Sequence, residues 1–282
     1  MTAQQEVGVD RTARARGRVD LDRPSAARIY DYFLGGAHNF EVDRQAAGEL
    51  AKVHPAIGLG MRANRSYLRR AVGYIAHSGV DQFLDLGSGI PTVGNVHEIA
   101  QRVNPTARVV YVDVEPIAVT HANTILAGNE LAVAISADLR DPYAVLNHPD
   151  VKALLDRSRP IGLIIAGVLQ YVTDDDDPVG MIRGYTDRMA PGSHVAMSHP
   201  SRDELTQERA AGAAAASVMY NRTETPFHYR TKAEFATFFA GLDVLPPGVV
   251  HMWDWRPETG TTLGELNGRV TGFAGVGRKS DS

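Results

Sequence analysis

Asp85-x-Gly87-x-Gly89, Asp113 and Asp138 are the residues of this chain whose types and spacing carry chemistry. Residues 82–86 form a short apolar run into the turn Gly87-Ser88-Gly89, and 108–112 and 132–136 are two further apolar runs. Each acid therefore stands at or just beyond the end of a predicted strand. In a parallel sheet those ends share one edge, where glycines without side chains let a ligand approach the amides that open the next helix. A carboxylate after the second strand suits the two hydroxyls of a ribose. Taken singly, Asp85 and Asp138 also read as ordinary turn or helix-cap acids.

The charge at Asp85 separates the nucleoside ligands that such an edge can hold. A dinucleotide pyrophosphate above the turn would meet a carboxylate two residues before the first glycine and be repelled. S-adenosylmethionine instead brings a cationic amino group and a sulfonium. The third glycine of the dinucleotide fingerprint is also missing, because Ile90-Pro91 follows Gly89 and proline removes a backbone donor. These residues favour S-adenosylmethionine over NAD, and an NAD-dependent oxidoreductase of the same fold class stays open as an alternative.

A predicted fourth strand at 161–166 runs into Gly167-Val168-Leu169-Gln170-Tyr171. Gln170 and Tyr171 are candidates to position a methyl acceptor, and otherwise read as loop residues. His199, just past a fifth strand at 194–198, and His251 are candidates to take a proton from a hydroxyl acceptor, against a structural role for each. The Asn/Asp-Pro-Pro-aromatic motif of amino-methylating nucleic-acid enzymes is absent, and with no cysteine in the chain a cytosine-C5 mechanism has no nucleophile. The ten histidines include no His-x-x-x-His or His-x-His pair, so no histidine metal centre is expected. Asp174 to Asp177 before Pro178 reads as a solvated turn and helix start, with a divalent-metal site as the sharper alternative. The segments Phe227-His228-Tyr229-Arg230 and Met252-Trp253-Asp254-Trp255-Arg256 either stack on a planar substrate or pack internally.

Strands alternating with helices imply right-handed crossovers and an α/β, doubly wound, mostly parallel sheet, here expected to have seven strands and a Rossmann-like methyltransferase arrangement. Before the first strand lie three helical stretches, which with their loops (20–78) are expected to form a helical lid over a core of 79–282. Residues 1–19, with Arg11, Arg14, Arg16 and Arg18 among small polar residues, are expected to be a disordered basic tail. Tyr30, Asn39, Asp43, Arg44, Asn64 and Arg65 mix the residue types of a polar pocket wall, Arg65 being suited to a ligand carboxylate. The competing reading is that they cap helices and tie the appendage to the sheet.

The sequence resembles a bacterial S-adenosyl methyltransferase family, formerly a domain of unknown function, within the class I methyltransferases. The likeness rests on Asp85-Leu86-Gly87-Ser88-Gly89, Val112-Asp113-Val114-Glu115-Pro116, the run from Pro24 to Gly36, Asn39-Phe40, Asp43-Arg44, Asn64-Arg65, Gly89-Ile90-Pro91-Thr92 and Gly275-Val276-Gly277-Arg278-Lys279. It implies S-adenosylmethionine as cofactor, with Asp113 on the ribose, Val114 beside the adenine, and Asp138 with Leu139 at the adenine amino edge. The Gly87, Ser88, Gly89 turn would underlie the methionine portion with Asp85 near its amino group, and Ala166 would border the methyl. The resemblance gives the cofactor and leaves the acceptor unnamed; a non-catalytic cofactor-binding module stays open.

Composition narrows the partners. The 282 residues are 44% hydrophobic and 22% charged, ordinary for one large globular domain. A formal net charge of −4 supplies no field to attract phosphate backbones or anionic lipid, so a small-molecule acceptor is expected and neither nucleic acid nor membrane. The lack of cysteine fits a reducing cytoplasm.

Overall fold

In the computed structural model, residues 23–90, 94–220, 227–258 and 272–280 are described. The expected tail at 1–19 and Pro91-Thr92 lie outside them. The chain opens with helices α1 (Ala26–Phe33), α2 (Glu41–Val53) and α3 (Ile57–His77). Alternating elements follow: β1 (Gln82–Leu86), α4 (Val96–Val103), β2 (Arg108–Asp113), α5 (Pro116–Ile125), β3 (Ala132–Ser136), α6 (Pro142–Asn147), α7 (Pro149–Leu154), β4 (Gly162–Ala166), α8 (Pro178–Thr186) and β5 (His194–Pro200). The last third holds α9 (Gln207–Tyr220), α10 (Lys232–Thr237), β6 (Asp243–Val244), β7 (Val250–His251) and β8 (Gly272–Arg278).

The strands form one sheet in the order β3-β2-β1-β4-β5-β8-β6, with β7 also paired to β8. Among the described residues the sheet thus has eight strands in seven positions, because β6 and β7 occupy successive stretches of the same flank of β8. The five strands β1 to β5 pair in parallel, and β8 runs antiparallel between β5 and the β6/β7 edge. The reversal of strand order lies between β1 and β4, which is where a doubly wound sheet binds its ligand.

Side-chain alternation along each strand assigns residues to the two faces of the sheet. Phe83, Val109, Tyr111, Ile164 and Ala196 share one apolar cluster with Tyr67, Val72 and Ile75 of α3. Leu84, Leu86, Val110, Val112, Leu163, Ile165, Val195 and Met197 join a second cluster with Tyr185 of α8 and Phe235 of α10. By this two-residue period Asp85, Asp113 and Ser198 belong to the α3 face, and His199 to the other.

The carboxyl-terminal half of α3 is buried against the sheet, with Tyr67, Ala71, Val72 and Ile75 all fully enclosed. This part of α3 therefore belongs to one layer of the sandwich. A third cluster draws Ile29, Ala47 and Leu50 of α1 and α2 together with Ala216 of α9. Gly212 makes that approach possible: a Cβ there would stand 2.3 Å from the Val53 carbonyl oxygen. The cap above the strand ends thus joins α1 and α2 to α9, from a later stretch of the chain.

Candidate active site

The first turn is closed by backbone contacts to the neighbouring strand. The Gly87 and Ser88 amides donate to the Val112 carbonyl at 2.8 and 3.1 Å. Gly87 and Gly89 have φ of +65° and +64°, a region that a side chain disfavours. At Gly87 the restriction is doubled, since a Cβ would lie 2.2 Å from Val168 Cγ2.

Asp113 binds this turn to the end of β2. Its Oδ2 accepts from the Gly89 amide at 2.7 Å and its Oδ1 from the Glu115 amide at 2.8 Å. Each oxygen keeps a second lone pair for a ligand hydroxyl. Burial raises its pKa, against these backbone donors, which lower it. Val114 beside it is 50% exposed and offers an apolar surface at the strand tip.

Asp85 is only 7% exposed. Burial pushes its carboxyl up to about 7; the Arg65 guanidinium draws it down and Asp113 raises it further. Arg65 lies over the Tyr30 ring, 5.8 Å from its centroid. Burial likewise raises the Tyr30 hydroxyl, and the Arg65 charge opposes this. A carboxylate and a guanidinium are thereby held in one electrostatic neighbourhood beside a glycine turn. That is the complement of an amino acid's ammonium and carboxylate, and the donor set fits the methionine end of S-adenosylmethionine.

Next to this pair runs a chain of polar contacts from cap to sheet. Asn64 Nδ2 donates to the Tyr30 hydroxyl at 3.1 Å, which donates to the Met61 carbonyl at 3.2 Å. Ser198 Oγ donates to Asn64 Oδ1 at 2.5 Å. Gly167, just past Ala166 at the end of β4, approaches the same amide; a Cβ there would be 2.6 Å from Asn64 Nδ2.

Other expected site residues are engaged elsewhere. The Asn39 amide donates to Asp31 Oδ2 and the Gly36 carbonyl, both at 2.9 Å, and its oxygen accepts from Arg44 at 3.2 Å, so it braces the loop after α1. Arg44 is exposed and also pairs with Glu41. Asp43 is fully buried against Arg28, whose Nε donates to it at 2.8 Å. Arg28 also reaches Glu115 Oε1 at 2.9 Å, and Ser25 Oγ donates to Glu115 Oε2. Asn39 and Asp43 thus bond within the appendage, and Asp43 is linked to the start of α5 only through Arg28.

Asp138 is clamped by Arg140, with Nε at 2.9 Å from Oδ1 and Nη2 at 2.5 Å from Oδ2. This pair holds its carboxyl below the usual range despite burial, which raises it. Leu139 packs against the second apolar cluster and its carbonyl accepts from the Tyr185 hydroxyl at 2.7 Å.

His199 requires a correction. It lies on the sheet face opposite Asp85, one residue out of step with Ser198, against Phe235 and Phe238. Nδ1 is 2.7 Å from the Pro200 carbonyl and Nε2 is 3.0 Å from Arg230 Nη1, so neither nitrogen is free to take a proton. Burial drives its pKa down to about 3. Arg230, which sequence reading treated only as part of an aromatic segment, also donates to the Leu169 and Val172 carbonyls at 3.0 and 2.8 Å. His199 and Arg230 together fix the turn that carries Gln170.

Gln170 sits in a single 3-10 turn, Leu169–Tyr171, and is 7% exposed. Tyr171 meets Phe227 edge to face at 5.7 Å. His251 pairs with Glu204 at 3.1 Å and stacks on Phe273, which agrees with a structural role. Among the described residues, no cluster of three or more His, Asp or Glu side chains could hold a metal ion, and Asp174 instead accepts from Arg230 at 2.7 Å.

A family model described as S-adenosyl methyltransferase matches residues 12–280. The chain belongs to the S-adenosyl methyltransferase family. Its structure is similar to that of a candidate methyltransferase from Thermobifida fusca, with 39% identity, a TM-score of 0.85, and coverage of 92% of this chain and 97% of that one. It is also similar to a DUF574 family protein from Streptomyces avermitilis, with 37% identity, a TM-score of 0.87, and coverage of 93% and 100%. No curated protein matches it. As a member of this family the protein uses S-adenosylmethionine, and Asp85, Arg65 and Asp113 are the side chains whose chemistry suits that ligand.

Proposed function

We propose that the protein transfers the methyl group of S-adenosylmethionine in line to a small-molecule acceptor. The observation that carries this reading is the opposed pair Asp85 and Arg65 beside the Gly87 turn, with Asp113 at the next strand end. In this reading Asp85 holds the ammonium, Arg65 the carboxylate and Asp113 the ribose hydroxyls. Val114 borders the adenine. When bound, the cofactor supplies a methyl group already activated by its sulfonium. The residues around it then have to align the two reactants and exclude water.

Tyr30, Asn64 and Ser198 seal the side towards α1 and α3. Asp138 and Leu139 are assigned to the adenine edge; for Asp138 this requires that Arg140 share its carboxylate. A small acceptor is favoured because the cap overhangs the β4 end and the chain has a net charge of −4, unsuited to a polyanion. Among the described residues no helix is long and apolar enough to cross a membrane. We place the reaction in the cytoplasm on the absence of cysteine.

Titration with S-adenosylhomocysteine and with NADH separates this reading from an oxidoreductase. Incubation with radiolabelled methyl donor and small-molecule, protein and RNA fractions then locates the acceptor. Tight binding without transfer to any fraction would mark a non-catalytic module. Replacing Asp113 by alanine is expected to weaken S-adenosylhomocysteine binding more than tenfold by calorimetry, because both the ribose contact and the brace on the Gly89 amide are lost; unchanged affinity refutes the placement.

A further inference from the structure

Two buried polar atoms at the end of β4 have no partner among the described residues: Gln170 Oε1 and His228 Nε2. They belong to segments joined directly, since the His228 amide donates to the Gln170 carbonyl at 2.8 Å. The orientation of the Gln170 amide is set by chemistry. Its Nε2 donates to the Gly167 carbonyl at 2.7 Å, and only the nitrogen can do so, which turns Oε1 away as an acceptor. A buried acceptor left without a donor costs about 1–3 kcal/mol, so such atoms are retained where something else satisfies them. Beside them stands a run of aromatic rings, Tyr171 to Phe227 at 5.7 Å and Phe227 to Tyr229 at 4.9 Å.

We propose that Gln170 and His228, walled by Tyr171, Phe227 and Tyr229, form the acceptor subsite, and that it takes a planar aromatic primary amine. The proposal rests on the methyltransferase reading above and names its substrate class. The number of protons decides between acceptors. With His228 protonated on Nδ1, its Nε2 is an acceptor like Gln170 Oε1; a hydroxyl's one proton then satisfies only one of the two, whereas an amino group carries two. One N–H donates to Gln170 Oε1 and survives the reaction. The other faces His228 Nε2 in the tautomer protonated on Nδ1. The nitrogen lone pair forms the N–CH3 bond as the S–CH3 bond breaks, with that electron pair remaining on sulfur. The proton shed by the nitrogen passes to His228, leaving a neutral secondary amine and S-adenosylhomocysteine.

Three rings of similar shape test this: 1-aminonaphthalene, 1-naphthol and naphthalene, with two, one and no polar protons. Their binding to the full-length protein saturated with S-adenosylhomocysteine is measured by saturation-transfer NMR competition. The expected order is amine, then naphthol, then naphthalene, with at least tenfold between the ends. In Gln170→Leu and in His228→Phe that range falls below threefold, while S-adenosylhomocysteine affinity stays within about twofold and so reports that both variants are folded. Equal binding of the three rings, or naphthol ahead of the amine, overturns the proposal. So does a tenfold loss of S-adenosylhomocysteine affinity in Gln170→Leu, which would put Oε1 on the cofactor. Failure of the wild type to bind S-adenosylhomocysteine defeats the methyltransferase reading itself; failure of the ring series alone does not.

Discussion

Replacing Arg28 by alanine is expected to destabilise the protein by about 3–5 kcal/mol, the usual cost of removing one partner from a buried ion pair. At roughly 2–4 °C per kcal/mol for a chain of this size class, the melting temperature should fall by roughly 6–20 °C in calorimetry. The guanidinium is 3% exposed and faces Asp43 at 0% and Glu115 at 20%. Its Nη2 also donates to the Arg23 carbonyl at 2.6 Å, and its plane lies 5.4 Å from the Phe40 centroid. Without it a buried carboxylate on α2 and another at the start of α5 lose their common cation. Lysine cannot make both contacts, because it offers a point charge in place of a fork.

Arg28 is also the point where the cap is fastened to the cofactor edge. Glu115 follows Asp113 by two residues, and the Glu115 amide is one of the donors to the Asp113 carboxylate. Loosening Arg28 therefore reaches the ribose side of the proposed site, and S-adenosylhomocysteine affinity should fall along with stability. Asp43→Asn in the Arg28→Ala background separates the two effects. Neutralising the stranded carboxylate should recover part of the stability, because the penalty lies in the unpaired charge. It should recover little affinity, since the cap remains detached.

What was legible in the sequence follows from the range of the interactions involved. The acids at the ends of β1, β2 and β3 were readable because short apolar runs, turn glycines and strand period are local signals. The parallel order followed from the alternation of strands and helices. The latch was not readable: Arg28, Asp43 and Glu115 are brought together over separations of 15 and 87 residues, and nothing in an amphipathic helix marks an arginine as its buried member. His199 illustrates a different limit. It was expected just past the fifth strand but lies within it, in β5, and a strand turns successive side chains to opposite faces, so the neighbour of a site residue can point away from the site. Its partner Arg230 lies 31 residues further on. The pairing of α9 with α2 was hidden because an alanine-rich helix shows little apolar periodicity, and β7 because two residues carry no pattern. For Asp138 the signal is local: Arg140 stands two residues later, within reach of the same carboxylate.

Asp85→Asn is expected to make the protein more stable and a poorer binder of S-adenosylhomocysteine. The aspartate's pKa is pushed up to about 7 when folded, against about 3.8 for an ordinary exposed aspartate, so the folded state holds the proton more tightly than the unfolded state. Stability from this group is complete below about pH 4 and is lost as pH rises through 7. The gap corresponds to a cost on the order of 4 kcal/mol above neutrality, of which the asparagine, neutral throughout, is relieved. At pH 8 the variant should melt above the wild type; the gap should shrink to roughly a third at pH 5 and close below about pH 4. Binding moves the other way. An ammonium requires the ionised carboxylate, so wild-type affinity should rise about tenfold from pH 6 to pH 8, the fraction ionised changing by that factor around a pKa near 7. Asparagine should remove this dependence and leave the affinity at or below the wild-type value at pH 6. Calorimetry near pH 7 in buffers of different ionisation enthalpy should show proton release on binding to the wild type and none to the variant. If the wild type releases no proton, Asp85 is not the group that meets the ammonium, and the pairing of Asp85 with Arg65 as a receptor for both ends of an amino acid would be abandoned.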